Sequence, residues 1–240
     1  MHRTLRHAWL ALGAFAAAAP VLATELIFEP DSGAFVDFAV MPAGYGDRVT
    51  ATSQGGYLYG LGGGATPNVV TRYGSAGGLV ELYSWAADFG DLQHVVFARE
   101  PIAFELRLIA DPGYRVSLGS FDMAGWPNLS FASIASVSVE DGNGNVLFSQ
   151  SNVPIAGDAI GPRHTHFAFA NLSADELRIK FDSTTNGQGV VLDSDDVGID
   201  NIRFSQALAS NVPEPGSAAL LGLGLICVLG LIRRRRPSAA

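Results

Sequence analysis

A single cysteine, Cys227, stands in a chain of 240 residues, inside an apolar stretch near the C-terminus. The body of the chain therefore holds no disulfide, no thiolate metal site and no cysteine nucleophile. Core burial alone must stabilise it, which a domain of about 190 residues can supply. Basic residues are scarce as well. Between residues 24 and 211 there are nine, against 22 acidic ones, a net charge of −13. Such a body disfavours nucleic acid and anionic lipid as partners. It suits a cation, a hydrated polysaccharide matrix or a plain soluble acidic surface. No window of about 12 residues in the body has a strong helical period, and no internal repeat is found. G-x-S-x-G is absent, as is H-E-x-x-H on a helix, so no constellation of those kinds marks an enzyme.

Apolar residues concentrate at the two ends. Arg3 and Arg6 precede the apolar run Trp9–Ala19, and Val21-Leu22-Ala23 places small residues where a signal peptidase inspects them. Residues 1–23 read as a secretory signal with cleavage after Ala23. At the other end Val212-Pro213-Glu214-Pro215 precedes an apolar stretch over 217–232, closed by Arg233-Arg234-Arg235-Arg236 and a short tail, 237–240. A stretch of that length spans about 24 Å, short of the roughly 30 Å of bilayer hydrocarbon, and arginine snorkelling offsets part of the difference. Gly222, Gly224 and Gly230 weaken the helix further. The reading is a temporary stop, with the arginines cytoplasmic, the body periplasmic and the prolines holding an extended, protease-ready segment at the outer face.

This arrangement resembles the PEP-CTERM sorting signal of Gram-negative bacteria, with Val212 to Pro215 matching the motif and Arg233 to Arg236 the basic cluster. The resemblance implies recognition by a membrane-embedded, cysteine-dependent exosortase and processing near Pro-Glu-Pro. It further implies inner-membrane anchoring before processing, delivery to the cell surface or extracellular matrix, and a biofilm-forming host that makes exopolysaccharide.

Between the ends, Phe104, Leu106 and Leu108 alternate with Glu105 and Arg107; Thr165, Phe167 and Phe169 with His166 and Ala168; Leu177, Ile179 and Phe181 with Arg178 and Lys180. Each run is a half-buried strand. Asp111-Pro112-Gly113 and Asp141-Gly142-Asn143-Gly144 read as turns, the second a hairpin. The fold class is all-β: one jelly-roll-like β-sandwich over 24–205, then a linker over 206–211. The glycine-rich stretch from Gly44 to Gly78 reads as long loops or a lid. Glu25-Leu26-Ile27-Phe28-Glu29 and Gly198-Ile199-Asp200-Asn201-Ile202 together resemble the first and last strands of galactose-binding-like carbohydrate-binding jelly rolls. That resemblance implies a structural calcium where those strands meet, with Glu29 and Asp200 as ligands.

Asp193, Asp195 and Asp196 offer three further hard oxygen ligands for calcium, or form a solvated acidic turn. Asp141, Asn143 and Asn145 imitate the start of an EF-hand loop. Val146 stands where that loop needs glycine, so the hairpin turn is preferred. His164 and His166 share a strand face and suit zinc if the fold brings His94 close; otherwise they are surface histidines. Tyr73, Tyr83, Trp85 and Trp126 belong to core or to a sugar platform, and Tyr57 and Tyr59, set among glycines, are expected to be exposed and glycan-binding. The sequence thus points to an exported matrix protein with a structural or carbohydrate-binding role and no catalysis. The rivals are a glycan-active enzyme on the same fold and a ligand-free structural surface protein.

Overall fold

The computed structural model describes residues 23–31, 38–61, 64–75, 82–98, 103–126, 134–157, 163–182 and 197–209. These form fourteen strands: β1 (Thr24–Pro30), β2 (Ala39–Val40), β3 (Ser53–Gln54), β4 (Tyr57–Leu61), β5 (Val69–Ser75), β6 (Leu82–Trp85) and β7 (Val95–Ala98), followed by β8 (Phe104–Ala110), β9 (Tyr114–Gly125), β10 (Ile134–Asp141), β11 (Val146–Val153), β12 (Thr165–Ala174), β13 (Glu176–Asp182) and β14 (Val197–Leu208). The described residues hold strands and no helix, so the all-β expectation stands.

Two antiparallel sheets face each other. The smaller has the order β11-β10-β13-β8-β5. Its alternating runs behave as the sequence predicts. Phe104, Leu106 and Leu108 of β8 pair with Phe181, Ile179 and Leu177 of β13, all buried. Phe104 and Phe181 stack with ring centroids 4.3 Å apart. Burying each such side chain contributes about 1.5–3 kcal/mol before entropy is charged against it. The opposite face carries charge, for instance Lys180 on Glu140 at 3.1 Å. Asp141 closes the β10–β11 hairpin by accepting the Asn143 and Asn145 amides on Oδ1 and the Asn145 side chain on Oδ2. This is the predicted turn, with Gly144 left-handed at φ 84°.

The larger sheet runs β2-β6-β7-β14-β1-β4-β3, with β9 on the far side of β14 and β12 beyond β9. The chain passes from one sheet to the other at Asp111-Pro112-Gly113, where the Tyr114 amide donates to the Asp111 carbonyl and Gly113 has φ 86°. Inward residues of both sheets, among them Leu26, Phe121, Ile202 and Phe204 from the larger and Leu106, Val137 and Ile179 from the smaller, form one core.

Two sequence expectations need correction. The stretch from Gly44 is no loop or lid: it supplies β3, β4 and β5, with β4 on β1 and β5 forming an edge of the smaller sheet. The last strand does not stop at residue 205, because Leu208 still pairs with Tyr114, so β14 occupies the start of the expected linker. The expected cleavage site after Ala23 lies immediately before β1. The signal, the apolar tail stretch and Arg233 to Arg236 lie outside the described residues.

Candidate functional site

The first and last strands are neighbours, as the carbohydrate-module resemblance implies: Thr24 pairs with Phe204 and Leu26 with Ile202. They then part. β1 bulges at Phe28, which sits at φ 51°, while Ile199 of β14 pairs instead with Val96 of β7. Asn201, at φ 52°, marks a second bulge at the same level, between the Asp200–Asp122 and Arg203–Ser120 pairs of β14 and β9. Bulges re-aim side chains and end local pairing. The gap they open is a cleft of about 210 Å³ lined by Ile27, Glu29, Asp91, Leu92, Gln93, Asp200 and Asn201.

Carboxylates and histidines gather along this cleft. Asp200 is 4% exposed. Burial, then the charges of Asp122, Glu25 and Glu29, push its carboxyl well above the ordinary range, against the pull of the Asn201 amide. Asp122 accepts from Asn201 Nδ2 at 2.9 Å and lies 2.6 Å from His166 Nδ1. His164 approaches the same Asp122 oxygen at 3.9 Å through Nε2, while its Nδ1 meets Asp91 at 2.8 Å. The two histidines do share a face, and what they converge on is Asp122 rather than His94. Among the described residues no group of three or more His, Cys, Asp or Glu is arranged to hold a metal ion. Glu29 and Asp200 do meet at one cleft; Asp193, Asp195 and Asp196 lie outside the described residues.

The segment joining β6 to β7 connects this cleft to a second one. Asp91 lies on the acidic side, and Phe89, two residues earlier, lies on an aromatic side. Phe38, Trp85, Phe89, Phe97 and Trp126 line a pocket of about 80 Å³. Phe89 and Phe97 form its buried floor, and Phe38 is its exposed rim. The rings meet edge to face: Phe38 on Trp85 at 4.4 Å and 79°, Trp85 on Trp126 at 6.3 Å and 77°. Both indole Nε1 atoms are withdrawn from solvent, and among the described residues neither has a hydrogen-bond partner. Two glycines permit this packing. A Cβ on Gly198 would lie 2.5 Å from Val95 and 3.0 Å from Phe89, and one on Gly90, at φ 62°, would run into the Arg163 carbonyl.

The expectation that Tyr57 and Tyr59 are exposed is corrected. Tyr59 is 4% exposed and stacks on Tyr45 at 5.1 Å, while half-buried Tyr57 meets Tyr45 edge-on at 5.2 Å. Tyr45 accepts the Phe28 amide at 2.7 Å and Tyr59 accepts the Gly46 amide at 3.0 Å, so these rings hold the β1 bulge. Burial raises the pKa of both Tyr45 and Tyr59, and that of Tyr45 strongly.

The remaining function-bearing segment is the tail. The family model for the PEP-CTERM protein-sorting motif matches residues 211–236, spanning Val212 to Pro215 and Arg233 to Arg236. The chain carries a PEP-CTERM sorting signal. It is accordingly an exported protein, held in the membrane before an exosortase processes it. The PEP-CTERM match stops short of the described strands, so the clefts belong to a body that the motif does not describe. No curated protein matches the chain.

Proposed function

We propose that the body is a non-catalytic carbohydrate-binding module, carried by the PEP-CTERM tail to the cell surface or the exopolysaccharide matrix. In this reading the body faces the periplasm before processing, with Arg233 to Arg236 left on the cytoplasmic side. The observation that carries it is the pairing of an aromatic pocket with an acidic, amide-bearing cleft on either side of Phe89–Asp91. Aromatic rings pack on the C–H faces of sugars, while carboxylates and amides such as Asp91, Gln93 and Asn201 bind hydroxyls. The excess of negative charge favours neutral glycans over acidic ones.

The glycan-active enzyme is the weaker reading. Asp122 and Asp200 are register partners, but at 4% exposure Asp200 presents little of its carboxyl to the cleft it lines. A glycan array probed with the purified, processed protein, with calcium and with chelator, tests the proposal. Binding to a defined set of neutral glycans is expected. Absence of binding in both buffers would favour the ligand-free structural reading, and release of cut glycan would favour the enzyme.

A further inference from the structure

We infer that β11 is an interaction edge on which a second copy of this chain lays its own β11, antiparallel, so that two smaller sheets join across a two-fold axis. The other terminal strands of both sheets are blunted. β2 and β3 are two residues long. β12 is broken by a bulge between Ala168 and Leu172. β5 is capped by a segment earlier in the chain: Asp47 Oδ1 accepts the Thr71 amide at 2.7 Å, and the Arg48 amide donates to the Val69 carbonyl at 2.8 Å. Short edges, bulges and covering segments keep a sheet from pairing with another chain. β11 is eight residues long, and among the described residues β10 is its only strand partner. Its irregularities fall near its ends, at Leu147 beside the hairpin and at Asn152, which has φ 53°. Between them, Phe148 to Ser151 keep unbroken register with β10. Val146 and Leu147 are exposed, and so are Ser149, Gln150 and Ser151. The strand holds no proline, no glycine and no charge.

Charge selects the occupant. The body's net charge of −13 drives copies apart wherever acidic faces meet. The five strands of the smaller sheet carry four basic and five acidic residues, so they hold only −1 of it. Several of these charges are paired on the sheet, as in Lys180–Glu140 at 3.1 Å and Arg178–Glu176 at 2.6 Å. β11 itself is neutral, so no register of β11 on β11 sets two like charges opposite each other. A foreign strand is recognised through pockets for its alternate side chains, and the exposed Ser149 and Ser151 are too small to build them. Symmetry sets the number of copies. β10 fills one side of β11 and leaves one free, so an antiparallel pair uses both free edges and closes at two. A single strand pair buries less surface than a stable interface needs, so the dimer is a weak one. Copies held by their tails in one membrane meet at a raised local concentration, which offsets that weakness before processing.

Sedimentation equilibrium of the purified, processed protein over a range of concentrations is expected to show a monomer–dimer equilibrium. Hydrogen exchange on the same samples should slow in residues 146–153 as concentration rises, and much less elsewhere. Ser149→Lys combined with Ser151→Lys places lysines where the two strands meet. That variant should weaken dimerisation at least about tenfold without lowering the melting point. Asn143→Lys, in the exposed turn beside the strand, adds charge off the edge and should leave the dimer in place. If the double lysine variant fails to fold, the concentration dependence of exchange in the unaltered protein decides the matter. A monomer at every concentration would overturn the inference. A dimer whose β11 exchange does not depend on concentration would do the same, and so would larger assemblies, which one free edge cannot build. None of these readouts involves a sugar, so the carbohydrate reading keeps its own separate test.

Discussion

Asn201 binds two facing acids: its amide donates to Asp200 Oδ1 at 2.7 Å and its side chain to Asp122 Oδ2 at 2.9 Å. Asp200 and Asp122 are register partners across β14 and β9, a placement in which like charges repel. Because burial first, and then its acidic neighbours, raise the Asp200 pKa, the folded state holds that proton more tightly than the unfolded chain. The stability that Asp200 contributes is fully present below the ordinary carboxylate range and is lost as pH rises through its raised value. Asp200→Asn keeps an acceptor for the Asn201 amide and removes the charge. It should stabilise the protein at neutral pH and flatten the pH dependence. Urea melts at several pH values check this, and a less stable variant at neutral pH would contradict it.

Tyr45→Phe leaves the Phe28 amide, now bonded at 2.7 Å, without its acceptor inside the core. An unsatisfied buried amide costs roughly 1–3 kcal/mol. The urea midpoint should fall accordingly, and the β1 bulge should exchange its amide protons faster. An unchanged midpoint would mean that the bulge is held by packing alone.

β8 and β13 of the smaller sheet were legible in the sequence because they alternate cleanly: Leu177, Ile179 and Phe181 face in while Arg178 and Lys180 face out. The β1–β14 pairing was legible from the two end segments. β4 and β5 were not. β4 reads Tyr-Leu-Tyr-Gly-Leu, and its tyrosines looked exposed among glycines because nothing local shows that Tyr45 covers them. Asp122 was missed for a related reason. It sits between Phe121 and Met123 in a run where both faces of β9 are buried, so the alternation that betrays an outward carboxylate is lost. Its histidine contacts come from a strand more than forty residues away, beyond the reach of any local pattern.

Gly198→Ala forces a methyl to within 2.5 Å of Val95 and 3.0 Å of Phe89. Overpacking of this kind costs about 1–3 kcal/mol. Since Phe89 is floor to the aromatic pocket, near-ultraviolet circular dichroism from Trp85 and Trp126 should change with the melting point. Preservation of both signals would show that β7 yields without strain.

Phe38→Asn should separate binding from folding. Asparagine tolerates φ 62° better than phenylalanine, which offsets the lost edge contact with Trp85, worth about 0.5–1.5 kcal/mol. Stability should stay within about 1 kcal/mol while glycan affinity falls. An unfolded variant, or one with full affinity, would count against Phe38 as the rim.

Deleting residues 213–236 removes most of the segment matched by the sorting-motif model. Surface or matrix yield should drop, and the mature mass should no longer report processing near Val212. Equal delivery and equal mature mass on blots of the two forms would show that the tail is not used.

β14 is held by β9 from Val197 to Leu208, and on its other edge by β7 and β1. The matched tail begins at residue 211, just beyond the end of that strand. Any tension between the tail and the body therefore pulls along the length of an inner strand. Ladder hydrogen bonds lie across the strand axis, so such a pull loads many of them in parallel instead of peeling them one by one. An edge strand at the same place, such as β11 in the smaller sheet, would unzip under far less force. Before processing, the body is thus joined to its membrane-held tail through a strand that is paired along both edges.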